Sequence, residues 1–170
     1  MHLYGIRQLA DGIRAVRADT IRIADDIPES EYGHRPAPES RSVAETLVHI
    51  AWLGGFARYV HEEAHLDSLE DMDFGAVVAQ TRAEEQKPRS KAEIIRLLRT
   101  EGERWAGWVE QLPDAFLAEE VRMPGGGWVN RFDLLLGMRE HEVHHRAQLT
   151  VHERLLGIVP HFTRGMMAAV

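Results

Sequence analysis

Apolar side chains recur every three or four residues in four separate stretches of the chain, and this spacing predicts four amphipathic helices. Two of these helices begin at Ser42 and Ser90, each followed three residues later by glutamate in a capping box that satisfies free backbone N–H groups. Asn130 provides the N-cap of the last helix, with Asp133 in its first turn. The predicted helices span residues 4–26, 42–61, 90–112 and 131–156.

The connections between these helices carry weaker patterns. Residues 28–40 contain three prolines and a glycine, which predicts an irregular segment. Residues 74–85 are compatible with a short helix, but the acidic patch before them favours a solvated excursion between the major helices. The glycines at 125–127 follow no predicted strand and match neither the dinucleotide nor the P-loop pattern, so we interpret them as a flexible turn.

No segment shows a convincing strand pattern, and residues 1–170 are therefore expected to form a single all-α domain. The expected architecture is a four-helix bundle with long connections. Its predicted core includes Ile13, Leu47, Ile50, Leu98, Trp105 and Leu136.

Composition narrows the possible chemistry. The chain has no cysteine, which excludes disulfides, thiolate metal ligands and a cysteine nucleophile, but it has 10 histidines. A formal net charge of −7 argues against a nucleic-acid partner, because such binding depends mainly on basic patches. The sequence contains neither a signal-peptide pattern at its start nor an apolar run long enough to span a membrane, so a cytoplasmic protein is expected.

The most informative pattern is the pair His141 and His145 in the last predicted helix. Residues four apart on a helix lie on the same face, where two imidazoles can bind one divalent metal. His141-Glu142-Val143-His144-His145 also matches the HExxH zinc-peptidase motif. The extended forms of that motif need a further histidine or glutamate downstream, and none stands at the required positions, so we interpret the peptidase match as fortuitous. A third metal ligand must come from elsewhere in the chain.

Two segments resemble the DinB/YfiT-like superfamily of metal-dependent enzymes. The first is residues 41–50, which contain the capping box of the second helix and His49. The second is residues 141–148, which contain His141, His145, Arg146 and Gln148. The order, the spacing and the chain length agree with that superfamily, so the resemblance covers nearly the whole chain. It implies a four-helix bundle, commonly dimeric, with three side chains binding one metal. Carried over to this sequence, the ligands are His49, His141 and His145.

The remaining candidates keep alternative interpretations. Gln148 either hydrogen-bonds a group on the metal or closes the pocket, and Glu45 and Glu142 either support the ligands or are surface charges. His144 should face outward or toward a dimer partner, and His152 should line the pocket. The other histidines are expected to be solvated, namely His2, His34, His61, His65 and His161.

Three neutral imidazoles leave at least one coordination position open, which is typical of catalytic sites. The resemblance favours a thiol-dependent S-transferase that acts on a small electrophile, because some relatives use low-molecular-weight thiols. A metal-dependent hydrolase and a non-catalytic metal-binding stress-response protein remain alternatives. Zinc or nickel is the expected metal, with iron as a third option. The expected partners are a small-molecule substrate and a second copy of the chain, through an apolar C-terminal tail with Met166, Met167 and Val170.

Overall fold

A computed structural model of the protein describes residues 4–168, most of which are helical. In chain order the α-helices are α1 (Ile6–Asp26), α2 (Val43–Arg58), α3 (Phe74–Glu85), α4 (Lys91–Val109), α5 (Asp114–Leu117), α6 (Arg131–Leu155) and α7 (His161–Met167). Helices α1, α2, α4 and α6 are the four that the apolar spacing predicts, and they form the bundle. The predicted all-α, four-helix architecture is confirmed. None of the helices among residues 4–168 combines the length and the apolar character that crossing a bilayer requires.

The starts of the predicted helices agree with their capping signals. Ser42 Oγ accepts a hydrogen bond from the Glu45 backbone, while the Glu45 carboxylate accepts one from the Ser42 N–H group. Ser90 and Glu93 form the same reciprocal pair at the start of α4. The side chain of Asn130 accepts a hydrogen bond from Asp133 N at the start of α6.

Two connections differ from the prediction. Residues 74–85 form helix α3, which packs against α2. The glycine-rich turn joins two antiparallel strands, β1 (Glu120–Arg122) and β2 (Trp128–Asn130), in which Val121 pairs with Val129. Strands of three residues are too short for alternation to be recognised in the sequence, so the expectation of no strand was wrong.

The bundle core lies between α1, α2, α4 and α6. Five of the six predicted core residues are at most 1% exposed, namely Ile13, Leu47, Ile50, Leu98 and Trp105. The sixth, Leu136, is partly buried. Helices α2 and α4 approach closely at Gly54, where a Cβ atom would lie 2.5 Å from Trp105 Cβ. Any larger residue at this position would force the two helices apart.

A buried ion pair links all four bundle helices. The Arg17 guanidinium on α1 donates to both carboxylate oxygens of Glu142 on α6, at 2.8 and 2.9 Å. It also donates to the backbone carbonyls of Leu98 on α4 and Ile50 on α2, at 2.8 and 3.0 Å. Thr20 donates a further hydrogen bond to Glu142. This fully paired network joins α6 to the other three helices of the bundle.

Candidate metal centre

Three histidine side chains from α2 and α6 converge on one point. His141 Nε2 lies 2.8 Å from His145 Nε2 and 3.2 Å from His49 Nε2. All three offered ligand nitrogens lie within 4.8 Å of one another. His141 and His145 are brought together by helical spacing alone, whereas His49 reaches them because α2 packs against α6.

The hydrogen bonds behind these rings decide which nitrogens carry lone pairs. His49 Nδ1 lies 2.8 Å from a carboxylate oxygen of Glu85, which only accepts, so Nδ1 carries the proton. His145 Nδ1 similarly donates to the side-chain oxygen of Gln148 at 2.9 Å. When these rings are neutral, both Nε2 atoms present lone pairs to the shared point. This tautomer is the one that metal binding through Nε2 requires.

Glu85 is a site residue that no sequence pattern singles out. It ends α3, is 6% exposed, and also accepts a hydrogen bond from Arg41 at 2.9 Å. Burial alone would raise the pKa of the Glu85 carboxyl, but the hydrogen bonds from His49 and Arg41 outweigh it, so the pKa lies below its ordinary value. Glu85 is therefore ionised near neutral pH and holds the proton on His49 Nδ1.

The ligand candidates on α6 are poor bases in the folded protein. Burial lowers the pKa of His145 to about 4, and the nearby His49 and His141 add to this effect against the opposing bond from Gln148. Burial, with His49 and His144, also lowers the pKa of His141. Both rings are therefore neutral at pH 7. Neutral imidazoles that share one point form a donor set suited to a divalent transition metal with an open position.

The other sequence candidates occupy different places. Gln148 contacts the rear nitrogen of His145, so it supports a ring instead of closing a pocket. Glu45 belongs to the α2 cap and pairs with Arg35 at 2.5 Å. Glu142 is fully buried against Arg17 of α1. The hydrogen bonds of both glutamates lead away from the three histidines, and neither is a surface charge.

Three of the histidines expected to be solvated are buried or partly buried, namely His61, His34 and His161. His61 is 2% exposed and lies 3.1 Å from Arg131, and His34 Nδ1 lies 3.1 Å from Nδ1 of the buried His152. His161 packs near Asp19. His144 and His65 are exposed, as predicted, while His2 lies outside the described residues. His152 therefore belongs to a separate pair and not to the three-histidine cluster.

Comparison with known proteins identifies the family of the chain. Residues 13–149 match the family model of the DinB superfamily. The chain belongs to the DinB superfamily. The resemblance noted in residues 41–50 and 141–148 is thereby confirmed, and this superfamily member contains both histidine-bearing segments within the matched region.

Individual relatives cover most of the chain. YjoA from Bacillus subtilis strain 168 is 28% identical over 152 residues, which are 88% of this chain and 90% of YjoA. The crystal structure of YjoA, a DinB-like protein, aligns with a TM-score of 0.64 at 24% identity, covering 88% of this chain and 92% of YjoA.

Two further structures share the fold at lower identity. YfiT from Bacillus subtilis, described as a probable metal-dependent hydrolase with an unusual four-helix bundle topology, aligns with a TM-score of 0.71 at 15% identity, over 93% of this chain and 91% of YfiT. The mycothiol-dependent maleylpyruvate isomerase aligns with a TM-score of 0.63 at 12% identity, over 87% of this chain but only 62% of the isomerase. At these identities the likeness establishes the fold alone.

Proposed function

We propose that this DinB-superfamily protein is a metal-dependent enzyme whose metal is bound by His49, His141 and His145. The observation that carries the proposal is the convergence of the three Nε2 atoms, with two of their tautomers fixed from behind by Glu85 and Gln148. The donor set suits zinc or nickel first and iron next. We further propose a thiol-dependent S-transferase that acts on a small electrophile.

The protein's own residues contribute binding and orientation to this reaction. The three imidazoles leave a fourth position open, and Glu85 and Gln148 hold two rings in their binding orientation. A divalent metal held by the three histidines would act as a Lewis acid and lower the pKa of a thiol, which is about 8.5 when the thiol is free. The sulfur then forms a bond to the electrophilic carbon, the leaving group departs with its electron pair, and the thiol proton passes to solvent.

The surroundings of the cluster favour a thiol over water as the nucleophile. Activation of water is most effective when a free carboxylate or imidazole acts as general base. The nearest carboxylate, Glu85, is already engaged with His49 and Arg41, while Glu45 and Glu142 are paired elsewhere. A thiol bound as thiolate needs no such base. The mycothiol-dependent isomerase among the structural neighbours is consistent with this preference.

The test combines a spectrum with turnover. Cobalt-substituted protein is titrated with N-acetylcysteine, and the zinc form is assayed with this thiol and 1-chloro-2,4-dinitrobenzene. We expect the thiol to change the cobalt absorption and the zinc form to accelerate chloride release, with both effects lost in His145→Ala. If the thiol leaves the spectrum unchanged and no conjugate forms, the transferase proposal is wrong. Tight metal binding without any turnover would instead support a non-catalytic metal-binding protein.

A metal-dependent hydrolase is the second candidate, and the structural similarity to YfiT favours it. A zinc site of three imidazoles can also activate bound water. An ester and an amide panel should be assayed beside the thiol reaction with the same metal-loaded protein. Hydrolysis that depends on His145 and proceeds without thiol would replace the transferase by the hydrolase.

We also propose that the protein is a homodimer. Apolar side chains on the outer face of α6 and on α7 are 47–70% exposed, namely Val151, Leu155, Phe162, Met166 and Met167. A second copy that packs on this face would remove them from water. Light scattering should give twice the chain mass, and Leu155→Glu with Met166→Glu should give a monomer. A monomer for the unmodified chain at micromolar concentration would contradict the proposal. Val170, part of the expected apolar tail, lies outside the described residues.

A further inference from the structure

A cleft of about 870 Å³ lies between α2 and α3, and none of the three candidate metal ligands lines it. Residues of the segment that follows α2 also line the cleft, as do Glu101 and Arg104 of α4. Cavities that bind small molecules in proteins have volumes of roughly 300–1,000 Å³. The cleft is therefore large enough for a substrate-sized molecule.

The cleft runs toward the three histidines. Trp52 lines it one helical turn after His49, and Thr81 and Glu84 line it just before Glu85 on α3. The hydrogen bond between His49 and Glu85 joins the same two helices at 2.8 Å. The cleft and the metal centre are consequently neighbours along α2, which carries both Trp52 and His49.

Aromatic rings form one wall of the cleft. Trp52, Phe56 and Tyr59 lie on successive turns of α2 and its extension, and Tyr59 is 48% exposed. The indole N–H group of Trp52 is buried and finds no acceptor among residues 4–168. The backbone is also irregular here, because residues Tyr59–Glu63 form a π-helical turn and His65 has a φ of 42°. Such turns are frequent at functional sites.

Negative charge dominates the lining. Five carboxylates face two arginines, Arg58 and Arg104, which leaves an excess of three negative charges. Glu84 is neutralised by Lys87 and Arg89. Asp71, in contrast, forms no ion pair within the described residues, and Arg58 is already paired with Glu62 at 2.8 Å. The cleft therefore disfavours anions, and the carboxylate of Asp71 is available to pair with a bound cation.

We propose that this cleft binds a small organic cation, an ammonium group on an aromatic or aliphatic body, with Asp71 and the rings of Trp52, Phe56 and Tyr59 as its recognition elements. Aromatic faces attract cations, and a nearby carboxylate adds to that attraction. The identification of this molecule as the substrate of the metal centre rests on the proposed function. The binding of the cation to the cleft does not depend on that function. The apolar body would lie along the wall and reach toward His49.

Three probes of nearly equal shape and different charge test the proposal. Phenethylamine, 2-phenylethanol and phenylacetate are titrated by calorimetry into the metal-free and the zinc-loaded protein. We expect phenethylamine to bind about tenfold more tightly than the alcohol, and phenylacetate to bind most weakly. Asp71→Asn should remove most of the preference for the amine without weakening the alcohol. Asp67→Asn is the matched control, since Asp67 is an exposed aspartate of the same segment outside the cleft lining.

Gln80→Trp supplies a second variant that does not depend on charge. Gln80 is exposed on α3 and lines the cleft, so a large ring at this position fills the cleft while the bundle core stays intact. All three probes should lose affinity in Gln80→Trp, with zinc affinity and melting temperature unchanged. Equal or tighter binding of phenylacetate, or an unchanged preference in Asp71→Asn, would overturn the proposal. We expect His145→Ala to lose zinc binding and to retain amine binding. If the unmodified protein binds amines but no metal, only the proposed metal function is refuted.

Discussion

Glu85 Oε1 lies 2.8 Å from His49 Nδ1, although 36 residues separate the two along the chain. The carboxylate is buried and is held on its other oxygen by Arg41. This contact ties α3, which lies outside the four-helix bundle, to the point where the three histidines meet. Helix α3 therefore belongs to the candidate site as well as to the wall of the neighbouring cleft.

Removal of this carboxylate should weaken metal binding. Glu85→Ala leaves His49 free to rotate and to change tautomer, and we expect about a 10- to 100-fold loss of zinc affinity by competition with a chelator dye. Glu85→Gln keeps an acceptor oxygen and should lose less. The matched control is Glu84→Ala, which removes a carboxylate that pairs with Lys87 and Arg89. Equal affinities in Glu85→Ala and the unmodified protein would show that this contact does not support the metal.

Replacement of either α6 histidine should abolish tight metal binding. His141→Ala and His145→Ala each remove one of three nitrogen donors, so metal content measured by plasma mass spectrometry should fall to background. His144→Ala changes an exposed neighbour on the same helix and should retain metal. Unchanged metal content in His145→Ala would show that the three-histidine assignment is wrong.

Glu142 should prove structural. Glu142→Leu leaves the buried Arg17 guanidinium without its carboxylate, and we expect a loss of about 3–5 kcal/mol in the free energy of unfolding, measured with urea. Adding Arg17→Met should restore part of that loss. The folded Glu142→Leu protein should still bind zinc with its original affinity. A variant of normal stability that binds metal poorly would instead place Glu142 in the metal centre.

Glu153 should make stability depend on pH. Both carboxylate oxygens are buried without a hydrogen-bond partner among residues 4–168, and burial, with Asp26 nearby, raises the pKa of Glu153 from 4.5 to about 7. Because the folded state holds a proton that the unfolded state releases, this group's contribution to stability is fully present below pH 4.5 and is lost as the pH rises toward 7.

The neutral variant Glu153→Gln removes that loss. Its stability relative to the unmodified protein should increase by about 3 kcal/mol between pH 4.5 and pH 7.5, as followed by urea unfolding at both values. Glu140→Gln, on an exposed position of the same helix, should differ from the unmodified protein by less than about 0.5 kcal/mol. If the relative stability of Glu153→Gln is the same at both pH values, Glu153 titrates normally in the folded protein.

Local sequence determined the bundle helices and the pairing of two of the three candidate ligands. Helix starts at Ser42, Ser90 and Asn130 depend on hydrogen bonds within one turn, so the residues that form them are adjacent in the sequence. The pairing of His141 with His145 follows from the helical repeat in the same way. His49 could be named as the third ligand only through resemblance to a family, because its approach requires α2 to pack against α6.

Tertiary structure decided the rest, since packing brings together residues that no sequence period connects. Helix α3 has little amphipathic pattern of its own, and only its docking on α2 places Glu85 behind His49 and creates the cleft beside Trp52. From the sequence, Glu142 was expected either to support the metal ligands or to be a surface charge. The helical repeat turns it about 100° from that histidine, and the packing of α1 against α6 gives it Arg17 as a partner. A side chain's role in this protein therefore depends on which neighbouring helix it faces.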